Sequence, residues 1–227
     1  MKRNFIIEFL LLFILGGLTS LSLPPLNLFI LNFFTFSIFF GFLFKKLNHR
    51  NEKKIFFFYG WFFGFGYFLT NLYWITISLT FDKNFSFLIP IALILIPSFL
   101  GLFYGLITLI FYLFNPKNIL SAFFGFSVLF GFIEFIRGTI LTGFPWNLVI
   151  YSLSKNLNFL SILSVIGTYS LNLIAISFFT APAIYILRKT KKEIGVCISL
   201  FFLSIIFFAY GNLNEKKFKN KEVKDNW

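Results

Sequence analysis

Few residues in this chain have the types and spacing that chemistry needs. Glu134 and Arg137 stand three apart on an apolar run, so a helix places them on one face, where they can pair. A charge pair at the end of a membrane helix is costly unless it serves a purpose or meets water. Just after it comes Gly143-Phe144-Pro145-Trp146, a turn carrying two aromatics, with Tyr151 close behind. Such a loop suits the membrane–water interface, where Trp prefers to lie. The pair and the turn can therefore anchor helix ends or form part of a binding site. Cys197 is the one cysteine; it sits in an apolar run, which predicts a packed thiol rather than a nucleophile. His49 is the one histidine; with no second His or Cys beside it, it reads as a solvated loop residue and not as a metal ligand. No Ser–His pair, paired Asp or metal cluster offers another centre, so neither catalytic residues nor a cofactor nor a metal site are expected.

The elements that position these residues follow from composition. Of 227 residues, 58% are hydrophobic and only 12% charged, with a mean hydropathy of +0.86. A soluble domain carries about 25% charged residues, so a water-soluble globular protein is excluded. A membrane helix takes about 20 mostly apolar residues, and seven apolar runs can be marked. They cover about Phe5–Leu23, Leu28–Phe44, Ile55–Leu79, Phe87–Phe114, Ile119–Ile136, Phe159–Leu187 and Ile194–Tyr210. The fold class is all-α, a multi-pass transmembrane helix bundle of about seven spans. The domain division is 1–211 for the membrane bundle and 212–227 for a polar tail. The first run is long for a signal peptide and lacks a small-residue cleavage pattern, so it reads as an uncleaved span. Glu8 near its start is expected to snorkel to the surface. Gly60 and Gly64, and Gly101 and Gly105, have the spacing that lets helices approach closely. The 40 Phe residues reflect a composition in which Phe, Ile, Lys and Asn rise together, not an aromatic cofactor path. No internal repeat suggests an inverted-repeat transporter.

The charge balance is +12, from 20 Lys and Arg against 8 Asp and Glu. In short loops between apolar runs, such residues set orientation and touch anionic lipid heads; no nucleic-acid partner is expected. With the N-terminus in the cytoplasm, that side carries 12 Lys and Arg before the tail and the outer loops carry 3. The Lys-rich tail then falls outside, against the trend. The earlier, stronger bias is expected to fix the bundle.

The segment Glu134–Trp146, with Tyr151 following, resembles the E-x-x-R-G…T-G-F-P-W segment of apolipoprotein N-acyltransferases. Leu23-Pro24-Pro25-Leu26-Asn27 is similar to that family's first inter-helix turn. Gly60-Trp61-Phe62-Phe63-Gly64-Phe65-Gly66-Tyr67, leading to Tyr73-Trp74-Ile75, looks like its third span. Gly167-Thr168-Tyr169-Ser170 is similar to its G-x-Y-G-x-S element, with the second Gly missing. The resemblance runs in order over nearly the whole chain. It implies a bacterial inner-membrane protein of lipoprotein biosynthesis, with a phospholipid acyl donor and a lipoprotein acceptor as partners besides the bilayer. In the family a periplasmic nitrilase-like domain after the seventh span supplies Glu, Lys and a Cys nucleophile. The chain reaches Trp227 where that domain is expected to begin, so it is expected to be inactive alone, as a truncated or split enzyme. The alternatives are a non-enzymatic module serving a separate nitrilase-like subunit, or an unrelated small transporter. By the same likeness, Phe144, Pro145, Trp146 and Tyr151 are expected to touch lipid chains. Arg137 is expected to attract a phosphate or to pair with Glu134, and Trp74 to stand at the outer interface.

Overall fold

The computed structural model describes residues 5–47, 53–140 and 143–225, with side chains to Lys217. Lys2, Arg3, His49 and Arg50 of the expected inner loops lie outside the described residues, as do Leu141 and Thr142. All regular structure among the described residues is helical. The long helices are α1 (Phe5–Ser20), α2 (Ile30–Lys46), α3 (Lys53–Leu72), α4 (Ile89–Phe114), α5 (Ile119–Thr139), α8 (Thr168–Leu187) and α9 (Lys191–Asp225). Short turns of 3₁₀-helix cover Tyr73–Thr80, Lys83–Leu88 and Val149–Leu153, and the single-turn helices α6 (Leu157–Leu160) and α7 (Leu163–Ile166) precede α8. The seven long helices correspond in order to the seven apolar runs.

Five stretches are long and apolar enough to cross a membrane: Lys53–Thr80, Lys83–Phe114, Ile119–Thr139, Thr168–Leu187 and Lys191–Lys217. α1 and α2, with 16 and 17 residues, rise only about 24–26 Å at 1.5 Å per residue. Three boundaries differ from expectation. The third span stops being α-helical at Leu72 and tightens into 3₁₀ turns, so Trp74 stands past the end of α3. The sixth is broken at Gly167, whose φ of +77° a side-chain-bearing residue rarely adopts; only Thr168–Leu187 is one helix. The seventh does not end at Tyr210 but continues helically through the polar residues to Asp225.

Helix ends are set by local chemistry. The Asn118 side chain accepts the Ser121 N–H (2.8 Å) and starts α5. Asn115, left-handed at φ 44°, ends α4, its N–H donating to the Phe111 and Tyr112 carbonyls. At the start of α9, Glu193 accepts the Thr190 N–H at 2.9 Å.

α3 is the central strut. A Cβ on Gly60 would lie 2.0 Å from the Tyr104 carbonyl of α4, and one on Gly66 would lie 2.0 Å from the Phe13 carbonyl of α1. Only glycine permits backbones this close, and close approach is the main source of packing energy where lipid replaces water. Thr108 adds an inter-helix hydrogen bond to the Phe56 carbonyl (2.6 Å). Between α2, α3, α4 and α5 the core is aromatic. Phe39 stacks on Phe63 with centroids 4.1 Å apart, and Phe130 meets Phe36 and Tyr104 edge-on at 5.5 and 4.9 Å. Offset and edge-on pairs of this kind add about 0.5–1.5 kcal/mol each beyond their buried area. Outward faces are greasy: Ile94 and Leu95 of α4, Phe132 of α5 and Phe201 and Ile206 of α9 are all more than half exposed. In a bilayer these faces meet acyl chains.

Glu8 turns inward rather than outward. Its carboxylate takes bonds from Lys46 of α2 and the Tyr59 hydroxyl of α3, tying three helices at the basic end of the bundle. The turns around Pro24, Trp74 and Trp146 meet at the other end.

Candidate functional site at the loop end of the bundle

α5 delivers Glu134 and Arg137 to the loop end, and both are buried, at 0% and 1% exposure. They form an ion pair through Arg137 Nη2, and Nε reaches Glu134 Oε1 at 3.4 Å. The guanidinium also donates through Nη1 to two carbonyls of the following loop, Phe144 (2.7 Å) and Trp146 (3.2 Å). Its central carbon stands 5.2 Å from the centroid of the Phe68 ring of α3. Desolvating a charge is offset only when partners saturate it, and here an acid, two carbonyls and an aromatic face do so. Of the two roles expected for Arg137, pairing with Glu134 is the one the geometry contains; no exposed face remains for a phosphate.

The loop is built to fit this grip. The Phe144 N–H returns to the Arg137 carbonyl (3.2 Å), and the Gly143 N–H donates to the Ile140 carbonyl (2.8 Å). Gly143 has φ +78°, and a Cβ there would lie 2.5 Å from the Gly138 carbonyl, so the turn needs glycine twice over. Asn147 is left-handed (φ 63°), and its carbonyl accepts from the Tyr67 hydroxyl of α3 at 2.7 Å. The next stretch, Val149–Leu153, is held from two other helices. Asn172 of α8 accepts the Ile150 N–H at 3.0 Å, and Asn32 of α2 donates to the Ser152 hydroxyl at 3.0 Å. Ser154 donates to the Asn27 side chain at 3.0 Å, linking this loop to the Leu-Pro-Pro turn.

On the outside of this clamp lies a cleft of about 660 Å³. Trp74, Pro145, Trp146 and Tyr151 line it together with Leu23, Pro24, Asn71, Asn147 and Ser154. Four of the seven expected site residues thus meet, though they come from separate parts of the chain. Trp146 and Trp74 are 60% and 48% exposed. Phe144 does not line the cleft; its ring packs against the core and its carbonyl serves Arg137. Tyr151 is half-buried, and that burial raises its phenol above the ordinary value; Tyr169 adds to the shift and the Arg137 charge opposes it. It therefore stays a neutral hydrogen-bonding group. No acidic or basic side chain is among the described lining residues, so the cleft offers flat aromatic walls and a few amide and hydroxyl groups.

Cys197 stands elsewhere, half-buried in a groove between α8 and α9, 3.6 Å from the Ala181 carbonyl. Glu193, one turn before it, is engaged by Thr190. No group of three or more His, Cys, Asp or Glu able to hold a metal exists among the described residues. The sequence reading missed Asn32, Tyr67, Asn147 and Asn172. A signal was present for two: Asn32 and Asn172 interrupt apolar runs, and an amide buried in a membrane helix must find a partner.

A family model described as the apolipoprotein N-acyltransferase N-terminal domain matches residues 15–181. An apolipoprotein N-acyltransferase of Rhodopseudomonas palustris is 34% identical over 174 residues, covering 75% of this chain and 32% of that protein. One from Allorhizobium ampelinum is 31% identical over 183 residues (78% and 34%), and one from Brucella suis is 31% identical over 213 residues (88% and 38%). The chain spans about a third of the length of the curated relatives it matches. The matched segment contains the clamp and every residue of the cleft.

Proposed function

The chain belongs to the apolipoprotein N-acyltransferase family, and from that membership we propose that it is the membrane part of a lipoprotein-maturing enzyme. In this reading an acyl chain leaves a phospholipid and reaches the α-amine of the diacylglyceryl-cysteine of a lipoprotein. The cleft lined by Trp74, Pro145, Trp146 and Tyr151 carries the proposal. It sits where apolar helices give way to loops, it is walled by aromatics, and among its described lining residues no nucleophile is paired with a base. Such a surface receives and orients an acyl chain; it does not break an ester. Acyl transfer splits into two easier steps when an activated thiolate carries the chain. Cys197 lies outside the cleft, so the carrier thiol is assigned to a nitrilase-like catalytic unit acting beside this bundle, and the bundle by itself transfers nothing. Glu134 and Arg137 are positioning residues that hold the loop, and Phe144 contributes through its carbonyl. The bundle lies in the bacterial inner membrane with the Lys-rich end in the cytoplasm and the cleft facing outward, as the charge bias favours.

The test is photolabelling in lipid. The chain is reconstituted with a phospholipid bearing a diazirine near the carboxyl end of one acyl chain. Adducts concentrated on Trp74, Pro145, Trp146 and Tyr151 support the reading. Adducts spread evenly over the exposed faces of α4 and α9 overturn it. Transfer of an acyl chain to a diacylated lipopeptide by this chain alone would overturn the division of labour.

A further inference from the structure

At the end opposite the cleft, three inter-helix junctions converge on a second cavity of about 560 Å³. Lys45 comes from the end of α2, Lys117 from the α4–α5 turn and Lys189 from the α8–α9 turn; Phe44, Leu47 and Leu187 supply an apolar wall. Among the described residues no ion pair uses any of the three lysines. Several other charges at this end are engaged among the described residues. Glu8 binds Lys46 and Tyr59, and Glu193 binds Thr190. Arg188 donates to the Tyr185 carbonyl and stacks over its ring, with 4.1 Å from guanidinium carbon to centroid. No carboxylate is among the described lining residues. Among the described residues its lining is thus positively charged without a compensating carboxylate, in contrast to the uncharged lining of the cleft at the far end. It lies where α2 and α8 change from apolar to basic, which is headgroup depth in a bilayer. Phe114 and Ile186, next in sequence to the lining residues Asn115 and Leu187, are 56% and 74% exposed.

We propose that this cavity binds the phosphodiester headgroup of an anionic phospholipid from the leaflet at the basic end of the bundle. The three lysines surround the phosphate, and the acyl chains leave along the Phe44–Leu187 wall. A free phosphate offers the same charge, but it has no use for that wall. The lipid would brace α2, α4, α5 and α8 together, because its partners come from the junctions of all four. The proposal depends only on the bundle spanning a bilayer and stands whatever the cleft binds.

The experiment is electron paramagnetic resonance of spin-labelled lipids with the whole chain in phosphatidylcholine bilayers. Labelled phosphatidylglycerol is expected to be immobilised about fivefold or more over labelled phosphatidylcholine, since each basic residue at the surface contributes appreciably to anionic-lipid binding. The variant K45Q/K117Q/K189Q should lose that preference. A control, K53Q/K54Q/K192Q, removes the same charge from the same end outside the cavity and should keep most of it. Absence of a preference in the unaltered chain overturns the proposal. An equal loss in both variants also overturns it, by assigning the effect to diffuse surface charge. Displacement of the lipid by inorganic phosphate at constant ionic strength reassigns the cavity to a soluble anion and overturns it as well. Should the triple variant not fold, K117E alters one exposed turn residue and carries the same test.

Discussion

Arg137 and the Phe144 carbonyl are seven residues apart in sequence and 2.7 Å apart in space. This bond, with its partner to Trp146, makes the loop an extension of α5 rather than a free connection. The aromatic walls of the cleft are placed by a charge that never reaches its surface.

Removing that charge should be costly. Arg137→Ala leaves Glu134 buried and unpaired and frees two carbonyls, so a loss of about 3–5 kcal/mol is expected. Removing both charges together, as Glu134→Leu with Arg137→Met, should cost less than Arg137→Ala alone, because no orphaned carboxylate remains. Thermal unfolding in detergent, followed by helical circular dichroism, compares the two. A double variant less stable than the single one would show that the pair does more than satisfy itself.

Trp74→Ala and Trp146→Ala address the cleft directly. Both side chains are about half exposed or more, so stability should change by no more than about 0.5 kcal/mol. Acyl-chain photolabelling at the cleft should fall about twofold to tenfold, as expected for losing a contact worth about 0.5–1.5 kcal/mol. Unchanged labelling in both variants would remove the aromatic walls from the binding site.

Asn172→Ala tests the second anchor of the loop. The Ile150 N–H loses its acceptor inside the bundle, a penalty of about 1–3 kcal/mol. Hydrogen exchange should quicken at Ile150 and its neighbours in Val149–Leu153 while α3 keeps its protection. Uniform acceleration throughout the chain would mean that Asn172 supports the whole fold and not this segment.

Two glycine substitutions should behave oppositely. Gly60→Ala drives a methyl group to within 2.0 Å of the Tyr104 carbonyl, so α3 and α4 must part, at a cost of at least about 1–3 kcal/mol. Gly195→Ala, in α9, meets nothing within 4 Å and should stabilise the helix by about 0.5–1 kcal/mol. Melting temperatures of the two variants check both signs.

Much of this architecture was legible because apolar run length is a strong signal when the solvent is lipid. The order of the seven helices, a close helix approach at Gly60 and the pairing of Glu134 with Arg137 all follow from spacing, though not which helix Gly60 meets. The break at Gly167 was not legible, since apolar residues continue on both sides of it and only the backbone angle marks it. The helical run of α9 past Tyr210 was hidden for the opposite reason: polarity changes there, but helix propensity does not, and Lys, Glu and Leu continue the turn. Phe144, Pro145, Trp146 and Tyr151 stood out as a group, yet their shared surface with Trp74 and Pro24 needed three dimensions. The Arg137 grip on carbonyls was out of reach altogether, because main-chain acceptors carry no sequence mark.

The loop is anchored from both directions along the polypeptide. Tyr67, Phe68 and Asn32, which meet Asn147, Arg137 and Ser152, are made before them, whereas Asn172, which receives the Ile150 N–H, is made afterwards. During synthesis the Phe144–Asn147 half can therefore dock as soon as it emerges, onto a wall already standing. The Val149–Leu153 half can meet Asn32 at once, but its Ile150 N–H must wait for α8, and the newborn pocket stays ajar on that side until that last neighbour arrives.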